Sequence, residues 1–175
     1  MNSKAKGSQY ERDVCRKFSL WISDGKNPNL LWRSAMSGGR STVMNKKGGV
    51  NKEQAGDISA VGAEGHRLID IAYLECKNYT DLGLNSFFIG RSSKLLSFWR
   101  DTEKAARKNA KYPLLIAKQS YFPELIVFSP EFYLELLDCK PFNRTVIMTR
   151  EEIIEVGLLD EFLEAFIIKP AGKGE

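Results

Sequence analysis

The chain is short of several things, and each shortage narrows its class. No apolar run approaches the roughly 20 residues needed to span a bilayer, which argues against a membrane partner. The first eight residues, Met1 to Ser8, are polar, carry two lysines and lack the apolar stretch of a signal peptide. Three cysteines, Cys15, Cys76 and Cys139, are odd in number and far apart. They fit a reducing compartment and exclude a disulfide framework. One histidine, His66, and no Cys-x-x-Cys pair argue against a structural zinc site as well. There is no internal repeat and no low-complexity linker. What remains is ordinary for one folded domain: 175 residues, 43% hydrophobic and 27% charged.

The net charge of +4 conceals a strong asymmetry. Residues 1–54 carry 11 Lys/Arg against 4 Asp/Glu, and residues 91–118 carry 8 against 2. Between them, residues 55–90 carry 2 against 5, and residues 119–175 are acidic, with 5 against 11. A charge run alone is usually a solvated face. Two basic segments bracketing an acidic one instead suit a polyanion held around a carboxylate centre, and nucleic acid is the favoured partner.

Periodicity predicts an α/β domain with a central mixed β-sheet flanked by helices. Ser8 to Trp21 reads as a helix, with Ser8 as N-cap, Glu11 at the capping-box position and Asp24-Gly25 as its stop. Leu30 to Arg33 reads as a short strand. A long polar stretch, Ser34 to Ala55, follows as a functional or disordered loop. Gly56 to Val61 is expected as a strand and Gly62 to Gly65 as a turn. His66 and Arg67 lead into a strand Leu68 to Lys77, aliphatic on both faces as a central strand is. Ser92 to Lys111 reads as a basic amphipathic helix, Leu114 to Ala117 and Leu125 to Phe128 as strands, and Glu131 to Leu137 as a helix opened by Pro130. Thr145 to Met148 is a further strand. Thr149-Arg150-Glu151-Glu152 resembles a capping box that opens a helix through Val156.

The chemistry is concentrated in Glu75-Cys76-Lys77. Strand side chains alternate, so Glu75 and Lys77 share one face and Cys76 takes the other. Asp57 supplies a second carboxylate from a neighbouring strand. Phosphodiesters repel nucleophiles, and a bound Mg²⁺ offsets that charge and lowers the pKa of a water. Mg²⁺ takes hard oxygen ligands, which Asp57, Glu75 and the Cys76 backbone carbonyl offer, with Mn²⁺ as a possible substitute. Lys77 beside them stabilises charge developing on the phosphate, in surroundings that move its pKa. Each piece has an ordinary use too. Glu-x-Lys is a common cross-strand pair, Gly-Asp is turn chemistry, and Glu11 can be a capping residue. Asp70 falls on the opposite strand face from Glu75 and reads as structural or edge-exposed. His66 reads as solvent-facing, with a general base as the alternative, and the Cys76 thiol as a small core group.

Glu11, Gly56-Asp57 and Glu75-Cys76-Lys77 together resemble the PD-(D/E)XK nuclease superfamily, with glycine where the signature has proline. Lys6 to Arg12, Arg33 to Arg40 and Pro113 to Lys118 extend the resemblance, most closely to archaeal-type Holliday junction resolvases and their phage relatives. The resemblance implies a restriction-endonuclease-like core over residues 6–118, with 119–168 as a C-terminal extension. It implies that Asp57 and Glu75 bind metal, that Lys77 is catalytic and that Glu11 completes the acidic site. Ser37 and Arg40 would meet the substrate from a loop, and Lys118 from the next strand. Arg33, Lys46 and Lys47 join them as expected nucleic-acid contacts, giving salt-sensitive binding. The expectation is thus a Mg²⁺-dependent DNA endonuclease, junction-selective, acting as a homodimer in the cytoplasm of a bacterial, archaeal or phage-infected cell. A restriction-like or homing endonuclease on the same core and a non-catalytic nucleic-acid-binding module stay open beside it.

Overall fold

The computed structural model describes residues 3–34, 56–140 and 142–168. Helix α1 (Ser3–Ile22) opens the chain. Tyr10, Val14, Cys15, Phe18 and Ile22 are buried along it, the stripe that a 3.6-residue period produces. Because α1 begins at Ser3, Ser8 lies inside the helix, and Glu11 is a mid-helix residue instead of a capping-box partner. The Gly25 N–H closes the helix on the Leu20 carbonyl at 2.7 Å, with Asp24 and Gly25 at positive φ. Buried Ser19 accepts the Leu31 N–H at 2.9 Å and so ties the helix to the strand that follows.

Strands β1 (Leu31–Arg33) and β2 (Ile58–Ala60) pair antiparallel as a small ribbon, Arg33 opposite Ile58. The segment expected as a turn and the start of a strand forms helix α2 (Ala63–Ile69). Its Gly65 is packed so closely that an added Cβ would lie 2.4 Å from the Leu30 carbonyl oxygen, which is why a glycine sits inside a helix here. His66 and Asp70 are consequently helical neighbours, 3.1 Å apart and exposed, and Asp70 is the C-cap of α2 instead of a strand residue.

Strand β3 (Ala72–Tyr79) starts four residues later than expected. After it come the short helix α3 (Leu84–Phe88) and the amphipathic helix α4 (Lys94–Lys108), whose Ser93 N-cap accepts the Leu96 N–H. The rest of the chain gives β4 (Tyr112–Gln119), β5 (Leu125–Phe128), α5 (Pro130–Leu136), β6 (Leu137–Cys139), β7 (Arg144–Met148), β8 (Ile153–Leu158), α6 (Leu159–Ala165) and β9 (Phe166–Ile168).

Five strands form one mixed sheet in the order β3-β4-β5-β8-β7, with β3 and β4 parallel and the other neighbours antiparallel. The fold is therefore α/β with a helix-flanked mixed sheet, as the periodicity predicts. Both sheet faces are covered, which explains the unbroken apolar runs of β4 and β5. Leu114, Ile116, Ile126 and Phe128 enter a core with Val14 and Phe18 of α1, Phe132 of α5 and Phe162 of α6. Leu115, Ala117, Leu125 and Val127 enter a second core with Leu95 and Trp99 of α4. Strand β3 is an edge strand, not a central one. Its outer side is nevertheless used, because the Asp57 N–H donates to the Leu74 carbonyl at 2.9 Å.

The helix expected after Thr149 is strand β8, and Thr149 begins the β7–β8 turn. Its Oγ1 accepts the N–H groups of Glu151 and Glu152, and its own N–H donates to the Glu152 carbonyl at 3.0 Å. Glu152 then accepts the Trp99 indole N–H at 2.7 Å, joining the turn to α4. Thr149→Ala should cost about 1 kcal/mol through two N–H groups that lose their acceptor. A fall of about 2–4 °C in melting temperature would register it; an unchanged midpoint would remove the turn from the account of why β8 is a strand.

Candidate active site

The site is assembled on the outer edge of β3. In a strand the N–H and C=O of one residue point the same way, and the Leu74 carbonyl points away from β4. Cys76, two residues on, therefore also presents its main chain to the free side. Its N–H donates to Asp57 Oδ2 at 2.9 Å, and its carbonyl lies on the same side. Asp57 is held three times over. Its N–H bonds Leu74, its carboxylate bonds Cys76, and its carbonyl accepts the Ser34 N–H at 2.8 Å.

Glycine at 56 makes this approach possible. Its φ is +104° and a Cβ there would lie 2.6 Å from the Leu74 carbonyl oxygen, so the backbone passes β3 closely just before Asp57. Asp57 is buried, with 8% of its surface exposed. Burial first, then the neighbouring Glu75 carboxylate, pushes its pKa up to about 7, and Glu11 adds to the rise while the Cys76 N–H and Lys77 oppose it.

Glu75 and Lys77 share the β3 face toward α4, and Lys77 Nζ donates to Glu75 Oε1 at 2.5 Å. Burial lowers the Lys77 pKa, but Glu75 and then Asp57 outweigh it, and the net movement is upward. Lys77 is thus a retained cation and not a base at neutral pH. The Phe98 ring of α4 lies 5.2 Å from its Nζ. A cavity of about 230 Å³ opens beside the pair, lined by Tyr73, Glu75, Lys77, Phe98, Asp101 and Thr102.

From α1, Glu11 reaches Arg33 of β1, whose Nε donates to its carboxylate. The same helix places Cys15 by the cluster. Burial, then Glu11 and Asp57, pushes its thiol up to about 12. The Cys76 thiol, on the α1 side of the sheet, is also raised, by burial first. Both sulfurs therefore stay protonated and are core groups, leaving oxygen as the donor atom of the site.

Asp57, Glu75, Lys77 and the Cys76 main chain are neighbours at the edge of β3, and Glu11 lies near enough to act electrostatically on Asp57. Arg33 joins them as the partner of Glu11. Lys118 is placed differently. In register it lies beside Asn78, one residue past the Lys77–Ala117 pair, and so on the opposite sheet face from Lys77. It pairs with Glu124 at 3.4 Å, and Glu124 also holds Lys17 at 2.6 Å. Ser37, Arg40, Lys46 and Lys47 lie outside the described residues.

A family model described as "Phage putative PDDEXK endonuclease" matches residues 2–168. The chain belongs to that family. Endonuclease is accordingly its coarse functional class, and the match extends through β9, well beyond residues 6–118. No curated protein and no solved structure matches the chain significantly. No helix among the described residues is long and apolar enough to cross a membrane.

The donor set of this PDDEXK chain fits a hard divalent cation. Two carboxylates and a main-chain carbonyl offer only oxygen; burial first, and the Glu75 charge second, disfavour an ionised Asp57, and a cation beside it would offset both. No three acidic, histidine or cysteine side chains among the described residues are already gathered on one point. Glu75 is instead paired with Lys77, and Glu11 with Arg33.

Two groups at the site escaped the sequence reading. Tyr73 has the parity of Glu75 and Lys77, and that parity alone could have found it. Burial, then Glu75 and Asp57, raises its pKa, so it remains a neutral hydroxyl beside the pair. Phe98 sits at a helical position that reads as plain core, and nothing in its spacing marks it as the ring beside Lys77.

Proposed function

We propose that this chain is a divalent-cation-dependent DNA endonuclease that selects DNA by structure in the manner of Holliday junction resolvases. It acts as a homodimer in the cytoplasm of the infected cell. The observation that carries the reading is the Asp57 carboxylate, buried on the edge of β3 with Glu75 and Lys77 alongside. Asp57, Glu75 and the Cys76 carbonyl hold Mg²⁺, or Mn²⁺ in its place, and Glu11 completes the acidic shell. A bound Mg²⁺ supplies charge neutralisation at the phosphate and a water of lowered pKa.

The chain's own groups do the rest. Lys77 keeps its proton and places a positive charge against the oxygens on which negative charge develops. Asp57 is fixed in orientation by the Cys76 N–H, so its second oxygen is aimed without a rotamer search. Arg33 positions Glu11, and it reaches phosphate only when that ion pair is exchanged. Lys118, at 44% side-chain exposure, meets the DNA backbone at the end of the sheet and not at the scissile phosphate. Arg33 at the end of β1, and Ser37, Arg40, Lys46 and Lys47 in the segment that follows it, are the proposed DNA contacts.

Cleavage of four-way, linear and single-stranded DNA, with Mg²⁺ and with chelator, tests the reading. Lys77→Ala should cut junction DNA at least about 100-fold more slowly while folding normally. Equal rates for variant and wild type would overturn the mechanism. Cutting of linear duplex at one fixed sequence, with junctions ignored, would replace junction selectivity by a restriction-like activity. Binding without cutting would make the chain a nucleic-acid-binding module. A monomer by light scattering, with and without DNA, would exclude the dimer.

A further inference from the structure

We propose that Tyr121 and Phe122, in the turn between β4 and β5, form a stacking surface for a base displaced from the duplex near the scissile phosphate. The substrate class this selects is DNA carrying unpaired or unstacked nucleotides. The inference rests on the nuclease reading above and narrows its substrate.

The first argument is placement. Strands β3 and β4 run parallel, with Lys77 beside Ala117 and Tyr79 beside Gln119. The Ser120 N–H donates to the Tyr79 carbonyl at 3.1 Å, so the β4–β5 turn begins where β3 ends. Tyr121 is four residues beyond the register partner of Lys77, at most about 13 Å at strand rise. That is about the axial rise of four stacked nucleotides, within reach of the phosphate at the site.

The second argument is the cost of the turn. Tyr121 is fully exposed and Phe122 is 48% exposed. Tyr121 also holds φ at +66°, a conformation that glycine adopts freely and a bulky side chain does not. A large aromatic is therefore kept in water at a position where glycine would relax the backbone. The fold draws no packing from the Tyr121 side chain.

The third argument is continuity and charge. From Lys77 a row of rings and cations leads to the end of β3. Phe98 lies beside Lys77, the Tyr79 ring lies 5.1 Å from Phe98, and Lys94 Nζ sits 4.0 Å over Tyr79. Residues 91–118, which include the helix that carries Phe98 and Lys94, hold 8 basic against 2 acidic residues. Rings interleaved with cations are how single-stranded nucleic acid is held, by stacking on any base and by attraction of the backbone.

Two matched DNA duplexes test this, one fully paired and one with an unpaired three-nucleotide bulge carrying 2-aminopurine. Wild type should bind and cut the bulged duplex in preference, and the 2-aminopurine fluorescence should change on binding. Tyr121→Gly, which suits the positive φ and preserves the fold, combined with Phe122→Ala should abolish the fluorescence change. The bulged-to-paired preference should fall roughly tenfold or more. A folded double variant with wild-type preference and fluorescence would overturn the proposal, as would equal affinity of wild type for both duplexes. The fluorescence experiment is repeated with Lys77→Ala. A stacking signal there, with no cutting by wild type on any DNA, would uphold the stacking surface while sinking the nuclease reading.

Discussion

Without divalent cation at pH 7 and above, Asp57→Asn should melt higher than the wild-type protein, and with Mg²⁺ it should cleave DNA roughly 10³-fold more slowly. Both effects follow from one buried carboxylate. Its folded pKa is about 7 against a reference of 3.8, raised by burial and by Glu75. Between those values the folded protein holds a proton that the unfolded chain has released. Unfolding stability therefore falls as pH rises through that window, is fully present below about 4, and is lost above about 7. The loss is a few kcal/mol, on the order of 5–10 °C in melting temperature for a chain of this size. Asparagine keeps an oxygen for the Cys76 N–H and carries no charge to titrate, so the pH dependence flattens. Cation binding reverses the penalty in wild type alone and draws the proton off Asp57 at lower pH than in the metal-free protein. Scanning calorimetry from pH 4 to 8, with and without chelator, checks the pair of effects. Parallel melting curves for the two proteins across that range would remove Asp57 as the source.

Gly56→Pro would place a proline where the superfamily signature has one and should strongly destabilise the native fold. Proline fixes φ near −65°, whereas Gly56 sits at +104°. Any Cβ also meets the Leu74 carbonyl at 2.6 Å, and that carbonyl is the acceptor that docks Asp57 on β3. The expected cost is about 3 kcal/mol or more, about 10 °C in melting temperature, together with loss of cleavage. Gly56→Ala should move both in the same direction by less. Urea midpoints and junction cleavage measure them. A Gly56→Pro protein with a wild-type midpoint would show that this chain reaches Asp57 by another backbone route.

Much of this was legible before any coordinates. The two-residue spacing of Glu75 and Lys77 requires them to share a strand face, and the ion pair between them is its direct result. The short apolar runs Leu114 to Ala117 and Leu125 to Phe128 read as strands, and both are. The failures have local physical causes. Gly62 and Gly65 read as a turn because an intrahelical glycine is costly, and only the approach of α2 to the Leu30 carbonyl accounts for one. Thr149 to Glu152 read as a helix start because a threonine hydroxyl accepting the next N–H groups serves a helix N-cap and a tight turn alike. The β-branched run from Ile153 then decided for a strand. Glu11 fits a cap or a site equally in sequence, and the start of α1 at Ser3 removes the cap reading. The edge position of β3 was hidden because helices on both of its faces give it the composition of an inner strand.

The strand order has a consequence for how two copies could cooperate. The carboxylates occupy one margin of the sheet and β7 the other, and β7 is the margin that carries exposed Val146 and Met148, with Ile153 opposite Met148 on β8. Four inter-strand gaps separate the two margins, about 20 Å. Two chains joined edge to edge at β7 would hold their scissile centres more than one DNA turn apart and facing outward. Two chains joined nearer β3 would bring both centres onto neighbouring phosphates. The distance between paired nicks on a symmetric DNA is thus a ruler, reading which margin of the sheet two copies share.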